Sequence, residues 1–210
     1  MKDLIIVGSG NAAREYLQIA KDVNKVASTW RIKGFVSDYG VDVNKLTNGE
    51  YNLLGSIRDW VPSENEVFVC SISEPNGKKA VVESLLARGA EFVDLIHPTA
   101  RIADYVQRGK GLVMYPYASI GVNASVGNFV TVSGSIAHDN VVEDFVTLSG
   151  GASLSGNVSV GECAFLGAKC IVAPKVKIGK NAFVGVGSVV VTNVKSGVKV
   201  FGNPARKLEF

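Results

Sequence analysis

Hydrophobic positions along the chain change their period once, near residue 97. Before that point short apolar runs alternate with helical spacing. Leu4-Ile5-Ile6-Val7 is the continuous run that a strand covered on both faces requires, Gly8-Ser9-Gly10 breaks it, and Ala12 to Ala20 resumes at helical intervals. Gly34-Phe35-Val36 ending in Ser37-Asp38, then Val67-Phe68-Val69-Cys70, a helix through Lys78 to Arg88 and a short strand at Phe92-Val93 continue the alternation. The stretch from Asp38 to Tyr51, with Asn44, Asn48 and Gly49, reads as a loop. Strands alternating with helices predict a parallel sheet, so residues 1–96 read as a Rossmann-like α/β domain.

From residue 97 onward a period of six replaces helical spacing. Aliphatic residues fall at Ile102, Met114, Ile120, Val126 and Val132, with Arg108 as the exception. The comb slips once and resumes at Ile136, Val142, Leu148, Leu154, Val160, Leu166, Val172, Ile178, Val184 and Val190. Glycine follows several of these, at Gly121, Gly127, Gly161, Gly167, Gly179 and Gly185, and the residue two before is small or apolar, as at Ala124, Val146, Ala152, Cys170 and Ser188. Each hexad then supplies one short strand and one tight corner, three hexads close a triangular coil, and the aliphatic residues stack inward. A sandwich of alternating strands would show period two with turns every 8–12 residues. Residues 97–210 therefore read as a parallel β-helix.

Composition narrows the partner. A net charge of +3 over 210 residues shows no excess of either sign that would suit nucleic acid or a membrane surface, which leaves a small molecule. The apolar run Leu4 to Val7 is too short for a signal peptide or a bilayer span, and the expected location is the cytoplasm. Cys70, Cys163 and Cys170 lack the paired spacings of a zinc site or a disulfide framework and read as reduced core thiols.

Chemistry is scarce. Of two histidines, His97 precedes Pro98 at the junction of the halves and reads as a linker or cap. His138 follows the slip, where the register advances by four from Val132 to Ile136, and Asp139 is next to it. That position falls on a corner, where a side chain can face a groove. A neutral imidazole can take a proton from an attacking amine or hydroxyl, and a carboxylate can orient it. Adjacent strand residues point to opposite faces, so direct contact of Asp139 with His138 needs corner geometry, and Glu143 or Asp144 stand as alternatives. In the first half, Gly8-Ser9-Gly10-Asn11-Ala12-Ala13 offers backbone N–H groups at a helix start, suited to a diphosphate, with Ala13 where the dinucleotide fingerprint has its last glycine. Asp38 is placed to accept from a ribose or base, and Ser71 and Ser73 to line the same crevice.

The hexads, the His138-Asp139 pair and the closing Val200-Phe201-Gly202-Asn203-Pro204-Ala205-Arg206 together resemble the hexapeptide-repeat acyltransferases with a left-handed β-helix. With the amino-terminal α/β domain, the resemblance is to bacterial sugar acetyltransferases: the nucleotide-linked 4-amino-sugar N-acetyltransferases and the sialic acid O-acetyltransferase group. It covers essentially the whole chain. It implies a homotrimer, with acetyl-CoA in the groove between neighbouring prisms and the nucleotide of the sugar on the first domain. It implies His138 as general base assisted by Asp139, with no covalent intermediate and no metal. It places an oxyanion-binding N–H at Gly156, further cofactor contacts at Thr147, Gly167, Gly185, Asn203 and Pro204, and substrate contacts at Gly8, Gly10, Asn11, Asp38, Ser71 and Thr131. Lys169, Lys175, Lys177 and Lys180 are candidates for the CoA phosphates or a solvated face.

The chain departs from the family pattern at three points. Asn11-Ala12 stands where many members have Gly-His or glycine and an aromatic; Thr131 replaces an asparagine, and Thr147 replaces a second histidine. The expectation is acetyl-CoA-dependent N-acetylation of a UDP- or dTDP-linked 4-amino sugar, with O-acetylation of a sialic-acid-type sugar or a non-catalytic nucleotide-sugar-binding trimer as alternatives. A metal-dependent carbonic anhydrase on the same coil needs three histidines, and the chain has two.

Overall fold

The computed structural model describes residues 1–208, and the chain divides into two compact units, Met1–Pro98 and Thr99–Phe210. In the first unit β1 (Lys2–Val7), β2 (Trp30–Val36), β3 (Leu53–Gly55) and β4 (Glu66–Cys70) form one parallel sheet in the order β3-β2-β1-β4. The apolar run Leu4 to Val7 is completely buried at its centre. Helix α1 (Asn11–Val26) lays Ala13, Tyr16, Leu17, Ile19 and Ala20 on the core, α2 (Val43–Leu46) is a single turn, and α3 (Pro75–Ala87) follows β4. The chain runs from β1 outward through β2 and β3, then returns to place β4 on the other side of β1. That reversal opens a crevice at the carboxyl ends of β1 and β4, where parallel sheets of this kind bind ligands.

Three elements differ from the sequence reading. The stretch read as a loop contains α2, closed because the Asp42 carboxylate accepts from the Lys45 N–H at 3.0 Å. Strand β3 was not expected; it is a three-residue edge with too short a pattern to read. Phe92-Val93 is only a bridge beside β4, held by Phe68 N–H to Glu91 O at 2.9 Å and Val93 N–H to Phe68 O at 3.0 Å.

Two buried carboxylates sit near the amino ends of these strands. Arg31 grips Asp3 with two hydrogen bonds of 2.6 and 2.7 Å, and Lys33 donates to Glu66 at 2.7 Å. The bond from Arg31 holds the Asp3 carboxyl below its usual range; burial pushes Glu66 upward, but Lys33, the Ser63 N–H and Trp60 outweigh it and leave it low. Folded-state values below the unfolded ones mean that this stabilisation is present above the ordinary carboxylate range and is lost as pH falls. Thermal melts are expected to drop steeply below about pH 4.5, and Asp3→Asn should melt lower at neutral pH and fall less on acidification.

The second unit is a prism of two-residue strands in three parallel faces. The first face stacks Val113, Thr131, Thr147, Phe165, Phe183 and Lys199; the second Arg101, Ser119, Ser135, Ser153, Ile171 and Val189; the third Gln107, Ser125, Val141, Ser159 and Lys177. The second residue of each strand points inward, and from Met114 to Val190 every comb position is buried. The first coil is looser, with Ile102 partly covered and Arg108 exposed. Phe165 and Phe183 stack with centroids 5.1 Å apart on the first face.

Corners carry their own period of six. Tyr117, Asn123, Phe129, Asp139, Phe145, Asn157, Cys163, Lys169, Lys175 and Asn181 all have φ between 55° and 63°, a left-handed conformation that costs most residues about 1–2 kcal/mol. The glycines that follow the comb stand two residues earlier and serve differently. A Cβ on Gly121, Gly161, Gly167 or Gly179 would lie 2.4–2.7 Å from the backbone of the next coil, so these glycines are required by proximity and not by their dihedral freedom. The slip in the comb is a corner shortened to Ser133-Gly134, where a Cβ on Gly134 would meet Ala152 O at 2.0 Å.

Candidate active site

His138 stands on the edge between the second and third faces, on the corner from Ser135-Ile136 to Val141-Val142. The left-handed φ of 57° at Asp139 breaks the strand alternation and swings its carboxylate back, so that Oδ2 lies 2.7 Å from His138 Nδ1. Asn123 Nδ2, one coil earlier on the same edge, donates to Asp139 Oδ1 at 3.3 Å. The bond to His138, and then that from Asn123, hold the Asp139 carboxyl below its usual range. An ionised Asp139 keeps a proton on Nδ1 and leaves Nε2 as the acceptor. Both side chains are about half exposed, so this acceptor is open to a substrate.

The alternative partners are committed elsewhere. Asp144 Oδ1 accepts from the Asn128 N–H at 2.6 Å, and Glu143 Oε2 from the Glu162 N–H at 2.8 Å, both on the next edge.

Directly along the edge from His138, Gly156 occupies the same corner one coil later. The imidazole lies across it: a Cβ there would be 2.5 Å from His138 Cε1 and 2.6 Å from Nε2. Asn157 N–H donates to His138 O at 3.2 Å and Lys175 N–H to Gly156 O at 3.1 Å, which continues the edge through three coils.

The remaining β-helix candidates lie elsewhere on the prism. Gly167 and Gly185 are on the edge between the first and second faces. Asn203 and Pro204 form the turn between Lys199–Phe201 and its antiparallel partner Arg206–Lys207, fastened beside Val189 by Ala205 N–H to Val189 O at 2.8 Å. The ring of Phe201 covers Gly185. Thr131 and Thr147 are paired neighbours on the first face, both buried. Of the lysines, Lys180 is paired with Glu162, Lys175 shares the edge of His138, and Lys169 that of Gly167. Burial pushes the Cys170 thiol up to about 12 and that of Cys70 to about 11, which keeps both protonated and poor nucleophiles.

Five of the six substrate candidates converge in the first unit, on a crevice of about 660 Å³ at the ends of β1, β2 and β4. Gly8 has φ 103° and its missing Cβ makes room for Ser71 Oγ at 2.7 Å, so a side chain there is excluded twice. Ser71 is spent on this turn, donating to Val7 O at 2.8 Å. Gly10, Asn11 and Ala12 line the crevice at the start of α1, an end that no side chain caps, with open space where a Gly10 Cβ would stand. Asn11 accepts from Arg14 at 2.7 Å. Asp38 Oδ1 accepts from Ser56 Oγ at 2.6 Å and from the Arg58 N–H at 3.1 Å, and the Ser56 bond lowers its pKa. Thr131 belongs to the other unit.

Sequence reasoning missed Tyr39, Arg58 and Glu74 in the crevice, and Asn140 beside the dyad. Glu74 caps α3, accepting from the Asn76 and Gly77 N–H groups. Arg58 follows β3, the unread strand. Asn140 did carry a signal, since it is a carboxamide where the comb calls for a small apolar residue.

No family model matches the chain. It is 29% identical over 170 residues to the GDP-perosamine N-acetyltransferase of Escherichia coli O157:H7, covering 80% of this chain and 76% of that protein. Its fold matches WeeI from Acinetobacter baumannii AYE with a TM-score of 0.87 and 26% identity, over 99% of this chain and 100% of that one. The acetyltransferase domain of PglB from Neisseria gonorrhoeae FA1090, in complex with acetyl coenzyme A, matches with a TM-score of 0.87 at 23% identity over 99% of both chains, a likeness of fold. The chain is thus similar in sequence to a nucleotide-sugar N-acetyltransferase, and its fold, an N-terminal parallel α/β domain followed by a β-helix, is shared with WeeI and with the PglB acetyltransferase domain.

Proposed function

We propose that the chain transfers the acetyl group of acetyl-CoA to the amino group of a nucleotide-linked 4-amino sugar, with His138 as general base. The observation that carries this reading is the His138-Asp139 dyad lying across Gly156 on an open edge of the β-helix. The sugar amine attacks the thioester carbonyl, His138 Nε2 takes its proton, and the Gly156 N–H donates to the oxyanion as it forms. When the tetrahedral intermediate collapses, the C–S bond breaks and the imidazolium returns a proton to the departing thiolate. The buried thiols take no part.

The nucleotide belongs in the crevice of the first unit. Its diphosphate suits the N–H groups beyond Gly10, and the carboxylate of Asp38 has acceptor capacity left for ribose or base hydroxyl and amino groups. The Escherichia coli relative acts on a GDP-linked sugar, which favours GDP over the UDP or dTDP read from sequence. Gly167, Gly185, Asn203 and Pro204 share one edge, while His138 and Gly156 lie on another. A groove between two copies of the chain would bring these edges together, and this supports a homotrimer with acetyl-CoA between protomers.

Thiol release from acetyl-CoA, measured against GDP-, UDP- and dTDP-linked 4-amino sugars, tests the proposal. Turnover is expected with a GDP-linked 4-amino sugar, giving an acetamido product by mass spectrometry. Absence of turnover with every amino sugar would overturn it.

A further inference from the structure

We infer that Asn140 is a positioning residue that holds the Gly156 corner open against His138. This rests on the function proposed above. At the corner just before the third face the buried column reads Ala124, Asn140, Val158 and Val176, so one carboxamide stands among apolar side chains, with no exposure to solvent. A buried amide requires partners, and this one has them on two successive coils. Asn140 Nδ2 donates to Ala137 O at 2.7 Å and to Ser155 O at 3.0 Å, while Oδ1 accepts from the Val158 N–H at 2.9 Å.

These partners are the significant feature. At several comparable corners the backbone closes on itself, as in Ala164 N–H to Gly161 O at 3.2 Å, Val176 N–H to Ala173 O at 3.4 Å and Ala182 N–H to Gly179 O at 3.1 Å. Between Ser155 and Val158 the corresponding acceptor and donor are both taken by the Asn140 carboxamide. The side chain thus replaces the turn bond at the one corner that presents Gly156, and it fastens that corner to Ala137, the residue before His138. The spacing between the imidazole and the Gly156 N–H is therefore set by this amide together with the bond from Asn157 N–H to His138 O. Asn140 touches no substrate; it acts through the two groups that do.

The test compares Asn140→Ala and Asn140→Ser with Val176→Ala, an interior change in the same column two coils on. Asn140→Ala restores the residue type of Ala124, and serine is accepted inside the coil at Ser188. Asn140→Ala is expected to lower kcat about 10- to 100-fold, with KM for both substrates within about twofold of the unmodified protein. Asn140→Ser, which keeps a hydroxyl for the Val158 N–H, should recover part of that loss. Val176→Ala should lower the melting temperature and leave kcat unchanged. A kcat for Asn140→Ala within about twofold of the unmodified protein overturns the role of Asn140 and leaves the proposed function standing. If Asn140→Ala fails to fold, full activity in Asn140→Ser overturns it equally. An unmodified protein that releases no thiol with any amino sugar removes the function itself.

Discussion

His138→Ala is expected to lower the rate of acetyl transfer by about 10²–10⁴-fold while the protein still binds acetyl-CoA. The size follows from what the imidazole alone supplies. Its Nδ1 is held by Asp139 at 2.7 Å, its Nε2 faces outward over Gly156, and the other histidine, His97, lies in the first unit against Asp22 at 3.5 Å. Neither of the other acidic residues near the corner is placed to substitute, because Asp144 and Glu143 are bonded to backbone N–H groups on another edge. The fold should be indifferent, since the ring lies on the surface of the prism and contributes nothing to the inward column. Thiol release measured beside calorimetric titration of acetyl-CoA separates the two effects. Retention of rate within a few-fold would assign the base to another group and remove the dyad from the mechanism.

How much of this was legible depended on whether a residue's role is repeated. The comb from Met114 to Val190 was readable because each inward aliphatic does the same work as its neighbour one coil on, eighteen residues away or sixteen across the slip. The first unit was readable at β1, β2, β4, α1 and α3, where burial or amphipathic spacing extends over several residues, and unreadable at β3 and α2, where three or four residues give no period. The crevice was legible because glycine turns and strand ends announce themselves in sequence; Gly8, Gly10, Asn11, Asp38 and Ser71 do line it. Arg58 and Glu74 were not, since each reaches the crevice from an element whose position depends on the tertiary fold.

The dyad shows the limit more sharply. Alternation along a strand argues against contact between neighbours, and only the left-handed backbone at Asp139 reverses that. The same conformation recurs at every sixth residue, at tyrosine, phenylalanine and lysine as readily as at asparagine, so no residue type marks it. Asn140 was overlooked for a related reason: its meaning lies in bonds to Ser155 and Val158, which belong to a coil that the local sequence does not mention.

Gly156→Ala should abolish most of the activity through a single added carbon. Gly156 does not have the positive φ of its neighbour Asn157, so alanine brings no backbone strain. The new Cβ would instead meet the imidazole at 2.5–2.6 Å, well inside contact distance. A surface histidine can swing aside where backbone cannot, so the coil keeps its stacking and the ring leaves Asp139. Loss of about 10²-fold in kcat is expected, with little change in melting temperature. The decisive comparison is a double-mutant cycle. If the glycine matters because the ring lies over it, Gly156→Ala should cost almost nothing once His138 is already alanine, and the two losses will not add. If the losses do add, the methyl group disturbs the Gly156 N–H itself, and the glycine serves the oxyanion independently of the base.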